Sequence, residues 1–204
     1  MRCAMTTLRA LLFPSLVGLA ALGLFDSPAA PATANTTSHP CGPNLIANGS
    51  FERGTTPGSY LTIKTDSSDI DDWTVSKGTV DVVGSLWPAS DGDRSIDLDG
   101  TTFGAISQRI KTDPDKTYVV TFDLSGNGYG APTIKMMRVS ANDDGTKYSF
   151  DDSKRPYHNM GWQAHAWRFV AKEKSTTIEF ESLDTESGYF GPVIDNVRVQ
   201  ATCD

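Results

Sequence analysis

Every second residue from Tyr118 to Leu124 is apolar: Tyr118, Val120, Phe122 and Leu124. Side chains of a β-strand alternate between its two faces, so this run predicts a strand over Thr117–Leu124 with one face buried. The same two-residue period recurs over Asn44–Phe51, Gly58–Lys64, Thr79–Val83, Ser95–Leu98, Ala105–Ile110, Thr133–Ser140, Lys147–Phe150, Ala164–Ala171, Thr176–Glu181 and Val193–Gln200. Clusters of Gly, Pro, Asn and Asp separate these runs, as turns require. No amphipathic stretch of helical period exceeds two turns. About ten short strands of this kind fold as a β-sandwich or barrel, and all-β is the expected class. Met136-Met137 breaks the alternation and predicts a bulge.

The N-terminus follows a different rule. Arg2 and Arg9 precede an apolar run from Leu11 to Phe25, and Ala32-Thr33-Ala34 ends a small-residue stretch. This is the pattern of a secretory signal peptide cleaved after Ala34. The apolar run is about 15 residues, short of the roughly 20 that span a bilayer. The expected organisation is a signal peptide at 1–34, a polar leader at 35–43, and one β-sandwich domain at 44–204, secreted as a monomer. The whole chain carries a formal charge of −7, and losing Arg2, Arg9 and Asp26 makes it −8. An acidic product disfavours nucleic acid and anionic membrane as partners.

Cys3 leaves with the leader, so Cys41 and Cys203 are the two cysteines of the exported chain. In an oxidising compartment they are expected to pair and tie the two ends together. A closed loop of about 160 residues corresponds to roughly 5 kcal/mol in the chain-entropy picture.

No catalytic motif stands out. The sequence has no H-E-x-x-H, G-x-S-x-G, P-loop or G-x-G-x-x-G, and many aspartates sit in turn contexts such as Asp143-Asp144-Gly145. A hydrolase built on two ordinary carboxylates stays open as a minor alternative, since a glycosidase needs only such a pair. Strand phase singles out Asp195, which falls with Val193, Val197 and Val199 and so points toward the core. A buried carboxylate needs a cation or several donors. Glu52 follows the first predicted strand. If the first and last strands neighbour each other, Glu52 and Asp195 could share a structural Ca2+, which takes six to eight oxygens. The alternative is that Asp195 accepts backbone N–H bonds or pairs with Arg198.

Among the aromatics, Trp73 and Trp167 fit core positions. Trp87, Tyr129, Tyr157 and Trp162 fall in or near loops. Flat aromatic faces stack on sugar rings while Asp and Arg take hydroxyls. These four, with Asp91, Asp93 and Arg94, form the candidate carbohydrate-binding set. The alternative is that the aromatics plug the ends of the sandwich.

The segments 44–52 (Asn-Leu-Ile-Ala-Asn-Gly-Ser-Phe-Glu), Trp73-Thr74-Val75, 80–84, 94–100 (Arg-Ser-Ile-Asp-Leu-Asp-Gly), 104–108, 121–127, 159–162 and 190–197 (Phe-Gly-Pro-Val-Ile-Asp-Asn-Val) occur in this order. Together they resemble the DUF642 / choice-of-anchor C family across about 44–200. That resemblance implies a jelly-roll β-sandwich of the galactose-binding-domain-like type, shared with many carbohydrate-binding modules. It implies a non-catalytic module for cell-wall polysaccharide, since plant members are cell-wall proteins associated with polysaccharide. It also implies a structural calcium held by Glu52 and Asp195. The bacterial family is named for a variable C-terminal anchor; with the sequence ending at Cys203-Asp204, the expectation is a product released or held at the wall through binding.

Overall fold

The computed structural model describes residues 39–153, 158–186 and 188–203. The predicted signal peptide and most of the polar leader lie outside the described residues, as does Tyr157. Twelve strands and no helix are described: β1 (His39–Pro40), β2 (Tyr60–Lys64), β3 (Thr74–Lys77), β4 (Thr79–Val83), β5 (Ser95–Asp97), β6 (Ala105–Lys111), β7 (Thr117–Gly126), β8 (Ile134–Ala141), β9 (Asp144–Asp151), β10 (Gln163–Val170), β11 (Ser175–Ser182) and β12 (Pro192–Cys203).

They form two antiparallel sheets, a β-sandwich as the alternation allows and the jelly roll that the family resemblance implies. One sheet runs β10-β7-β12-β5-β4-β2, with β1 added against the end of β12; the other runs β3-β6-β11-β8-β9. In β11 every second residue is buried: Thr176, Ile178, Phe180 and Ser182. The inner faces meet around Phe51, Trp73, Phe122, Met137, Phe180 and Ile194. Phe122 and Phe180 cross nearly edge to face, with centroids 5.2 Å apart. Burying a side chain of this size stabilises by about 1.5–3 kcal/mol.

The cysteine pairing is as predicted. Cys41 and Cys203 form a disulfide with a Cα–Cα separation of 5.6 Å, and His39 pairs with Cys203 across β1 and β12.

Three local expectations are corrected. Met136-Met137 sits in unbroken register, opposite Ser149 and Tyr148 of β9, because Lys135, Met137, Val139 and Ala141 turn inward while Met136 takes the outer face. Asn44–Phe51 is not a regular strand. It lies along β12, with Leu45 N–H donating to Val199 O and Val197 N–H to Gly49 O, but Asn48 and Phe51 adopt positive φ of 52° and 60°, which breaks the extended run. Gly49 is required there, since a Cβ would come within 1.9 Å of Val197 O. The third correction concerns β12 and decides the site.

Candidate functional site

The β7–β12 register shifts between Asp195 and Arg198, and Asn196 has a positive φ of 51°. One inserted residue reverses the phase of a strand. Ile194, Val197 and Val199 therefore enter the main core together, whereas Val193 and, by alternation, Asp195 face the opposite side of the sheet. Asp195 is still fully buried, because loops fold back over that outer face.

Beneath those loops is a second small core. Val83 of β4 and Val193 of β12 pack with Trp87 and Met160, flanked by Leu86 and Trp162. Trp87 is only 4% exposed, and its indole N–H donates to Ser95 Oγ at 2.9 Å. Trp87 therefore does not offer an open stacking face. Of the two readings left open for this loop aromatic, stacking face or plug, its burial matches the plug: the loop 84–94 lies on the sheet with the indole beneath it. Trp162 is half-buried and closes the same layer, its indole N–H donating to Pro88 O at 3.2 Å. Tyr129 remains 41% exposed, its ring centroid 6.4 Å from that of Trp87.

The covering loop is held by the two carboxylates singled out in the sequence. Asp195 Oδ2 accepts from the N–H groups of Ser90 (2.7 Å) and Asp91 (2.8 Å), and its Oδ1 accepts from Asn196 N–H at 2.6 Å. Glu52 Oε1 accepts from Asp93 and Arg94 N–H, both at 2.8 Å. Burial pushes the Asp195 carboxyl up to about 7, although the N–H bonds from Asp91, Asn196 and Ser90 favour its charged form. Glu52 and Asp195 hold the two ends of the same loop. Three of their four carboxylate oxygens accept backbone N–H groups, which is the alternative the sequence left open for Asp195.

On the far side of the loop lies an open groove of about 710 Å³. Its walls include Pro57, Leu86, Pro88, Asp93, Arg94 and His158, with Trp87 and Glu52 also contributing. Arg94 Nη1 is buried and has no hydrogen-bond acceptor among the described residues. Of the predicted sugar-binding set, Trp87, Asp93 and Arg94 share this groove, and Tyr129 adjoins it through Trp87. Asp91 is placed elsewhere: it lines the opposite cleft with Asn48, Arg53 and Asn196, 3.9 Å from the Arg198 guanidinium. His158 and Pro57 were not singled out in the sequence. Neither carries a local signal, since distant turns bring them to the groove.

Comparison with known proteins agrees with this architecture. The model of a family described as "Protein of unknown function (DUF642)" matches residues 44–200. A stretch of 169 residues is 33% identical to part of Halomucin from Haloquadratum walsbyi, covering 79% of this chain and 2% of that protein. Protein DUF642 L-GALACTONO-1,4-LACTONE-RESPONSIVE GENE 2 of Arabidopsis thaliana is 28% identical over 176 residues, 78% of this chain and 47% of its own length. The chain thus spans about half or less of these relatives. Among solved structures, the CBM22-1 xylan-binding domain of Paenibacillus barcinonensis Xyn10C superimposes with a TM-score of 0.51 at 17% identity, covering 81% of this chain and 99% of that domain. At that identity the likeness is one of fold.

Proposed function

The chain belongs to the DUF642 family, and we propose that it is a secreted, non-catalytic module that binds extracellular or cell-wall polysaccharide as a monomer. The observation that carries this reading is the groove beside Trp87. It is open and mixed in character, with apolar walls from Leu86, Pro57 and Pro88 and polar groups from Asp93, Arg94 and His158. A sugar ring needs that mixture, because it has apolar C–H faces and a rim of hydroxyls. Arg94, half-buried in that wall, supplies guanidinium N–H donors for hydroxyls. The fold is shared with a domain that binds xylan, which supports the same reading.

The test is retention of the full chain on insoluble cellulose, chitin, xylan and pectin, with reducing-sugar release followed in the same tubes. Retention without release is expected. Failure to be retained on any of the four would overturn the proposal, and release would replace it with a hydrolase.

A second reading is favoured by one specific observation. Trp87 is 4% exposed and Trp162 is tied to the covering loop, so two of the four loop aromatics act as packing. A structural or protein-interaction module of the cell surface would use them in this way.

A further inference from the structure

A buried charge sits at the end of the sandwich where β7 finishes and β12 begins. Lys135 on β8 is fully buried, and so are Asp97 and Asp99. The Lys135 ammonium donates to Gly130 O at 2.8 Å and to Phe190 O at 2.7 Å. Its carboxylate neighbour is Asp152, 3.6 Å away. Burying an ammonium costs several kcal/mol, and an apolar residue of similar volume is often the more stable choice. The two carbonyls it holds belong to two different loops, 127–132 and 188–191.

Asn127 repeats the connection. Only 6% exposed, its Oδ1 accepts from Tyr129 N–H at 3.1 Å, while its Nδ2 donates to Asp97 Oδ2 at 2.7 Å and to Tyr189 O at 3.4 Å. Asp97 Oδ1 accepts from Gly191 N–H at 3.1 Å. The loops also touch directly, since a Cβ on Gly130 would come within 2.4 Å of the Phe190 ring. They leave adjacent strands, Gly126 being paired with Pro192.

Each clamped loop presents one tyrosine at the surface, Tyr129 at 41% and Tyr189 at 57% exposure. We propose that Tyr129, beside Trp87, and Tyr189 form a second stacking platform for a neutral sugar ring, and that buried Lys135 positions it by binding the carbonyls of both loops. The reading rests on the glycan-binding function proposed above and extends its site. A phenol ring offers a flat apolar face with a polar edge, which matches the C–H face and hydroxyl rim of a pyranose. A net charge of −7 disfavours a polyanion, which leaves an uncharged glycan as the ligand class. Rings on loops clamped by a buried network lose little freedom on binding, which is how preorganisation raises affinity.

Affinity electrophoresis in gels containing soluble xylan or soluble cellulose derivative, with pectin as the anionic comparison, tests this. Tyr129→Ala and Tyr189→Ala are each expected to lose about tenfold in affinity for the neutral polymer while still folded at the assay temperature, and Tyr189→Phe to keep it, since stacking needs the ring and not the hydroxyl. Lys135→Met is expected to weaken binding and to speed hydrogen exchange at 127–130 and 189–191 while exchange in β11 stays slow. Parental binding with both alanine variants at parental affinity would overturn the platform and leave the glycan reading standing. Uniform exchange changes, or none, in Lys135→Met would remove the positioning role. If the parent binds neither neutral polymer, both readings fall together.

Discussion

Glu52 and Asp195 grip the same short loop from its two ends, Glu52 through the amides of Asp93 and Arg94 and Asp195 through those of Ser90 and Asp91. The loop so held covers Trp87 on one side and lines the groove on the other. Two carboxylates that the sequence places at opposite ends of the domain therefore set the shape of the candidate site, Glu52 from its wall and Asp195 from beneath the loop.

Removing the charge of Asp195 tests this clamp. Asp195→Asn puts an NH2 where an acceptor now faces N–H donors, and an unsatisfied buried group of that kind costs about 1–3 kcal/mol. Denaturant unfolding should show a lower midpoint with little change in slope, and a smaller loss for Glu52→Gln, whose side chain is half-buried.

Chelation separates amide from cation. With backbone N–H groups as the partners of both carboxylates, EDTA should leave the melting temperature unchanged. A drop that added calcium reverses would show that the carboxylates hold the cation in preference to the loop.

Stability should fall as pH rises. Burial pushes Asp99 up to about 7 and Asp184 up to about 6, from an ordinary value of 3.8. Both are raised in the fold, so the folded chain binds protons more tightly than the unfolded one. Their contribution is fully present below about 4 and is lost as pH climbs through 6 and 7. Melting should be highest on the acid side and decline toward pH 8, at about 2–4 °C for each kcal/mol lost in a domain of this size. Asp99→Asn should flatten the profile.

Reduction should destabilise the domain without changing its sheets. Cys41 and Cys203 are both exposed, so reductant reaches the bond. The Cys41→Ser, Cys203→Ser double variant should lose up to about 5 kcal/mol, measured as a shift in the denaturant midpoint, with the far-ultraviolet circular dichroism of the sandwich retained.

Trp87→Ala should behave as a core mutation. Removing an indole that packs on Val83, Met160 and Val193 costs about 3–5 kcal/mol. Calorimetry should show that loss whether or not glycan binding changes. A variant as stable as the parent would mean that the indole is not part of the second core.

What the sequence determined by itself was whatever depends on neighbours along the chain. Alternation in Thr117–Leu124 and Thr176–Glu181 specified strands and their inner faces, because a strand's period is a property of its own backbone. Setting Cys3 aside with the expected leader pointed to Cys41–Cys203, because only one pairing was then left. Glu52 and Asp195 were legible as carboxylates in need of partners, through strand phase and family resemblance together. What only the tertiary structure decided was where those side chains point and what covers them. The bulge between Asp195 and Arg198 inserts one residue, and a period count that runs through it assigns Asp195 to the wrong face. Trp87 was rightly placed in a loop, but loop membership says nothing of exposure when the loop lies on a sheet. Lys135 carried no local signal at all. Its partners are the carbonyls of Gly130 and Phe190, and main-chain oxygens have no sequence identity, so the contact that joins the two tyrosine loops exists only once the sheets have brought them together.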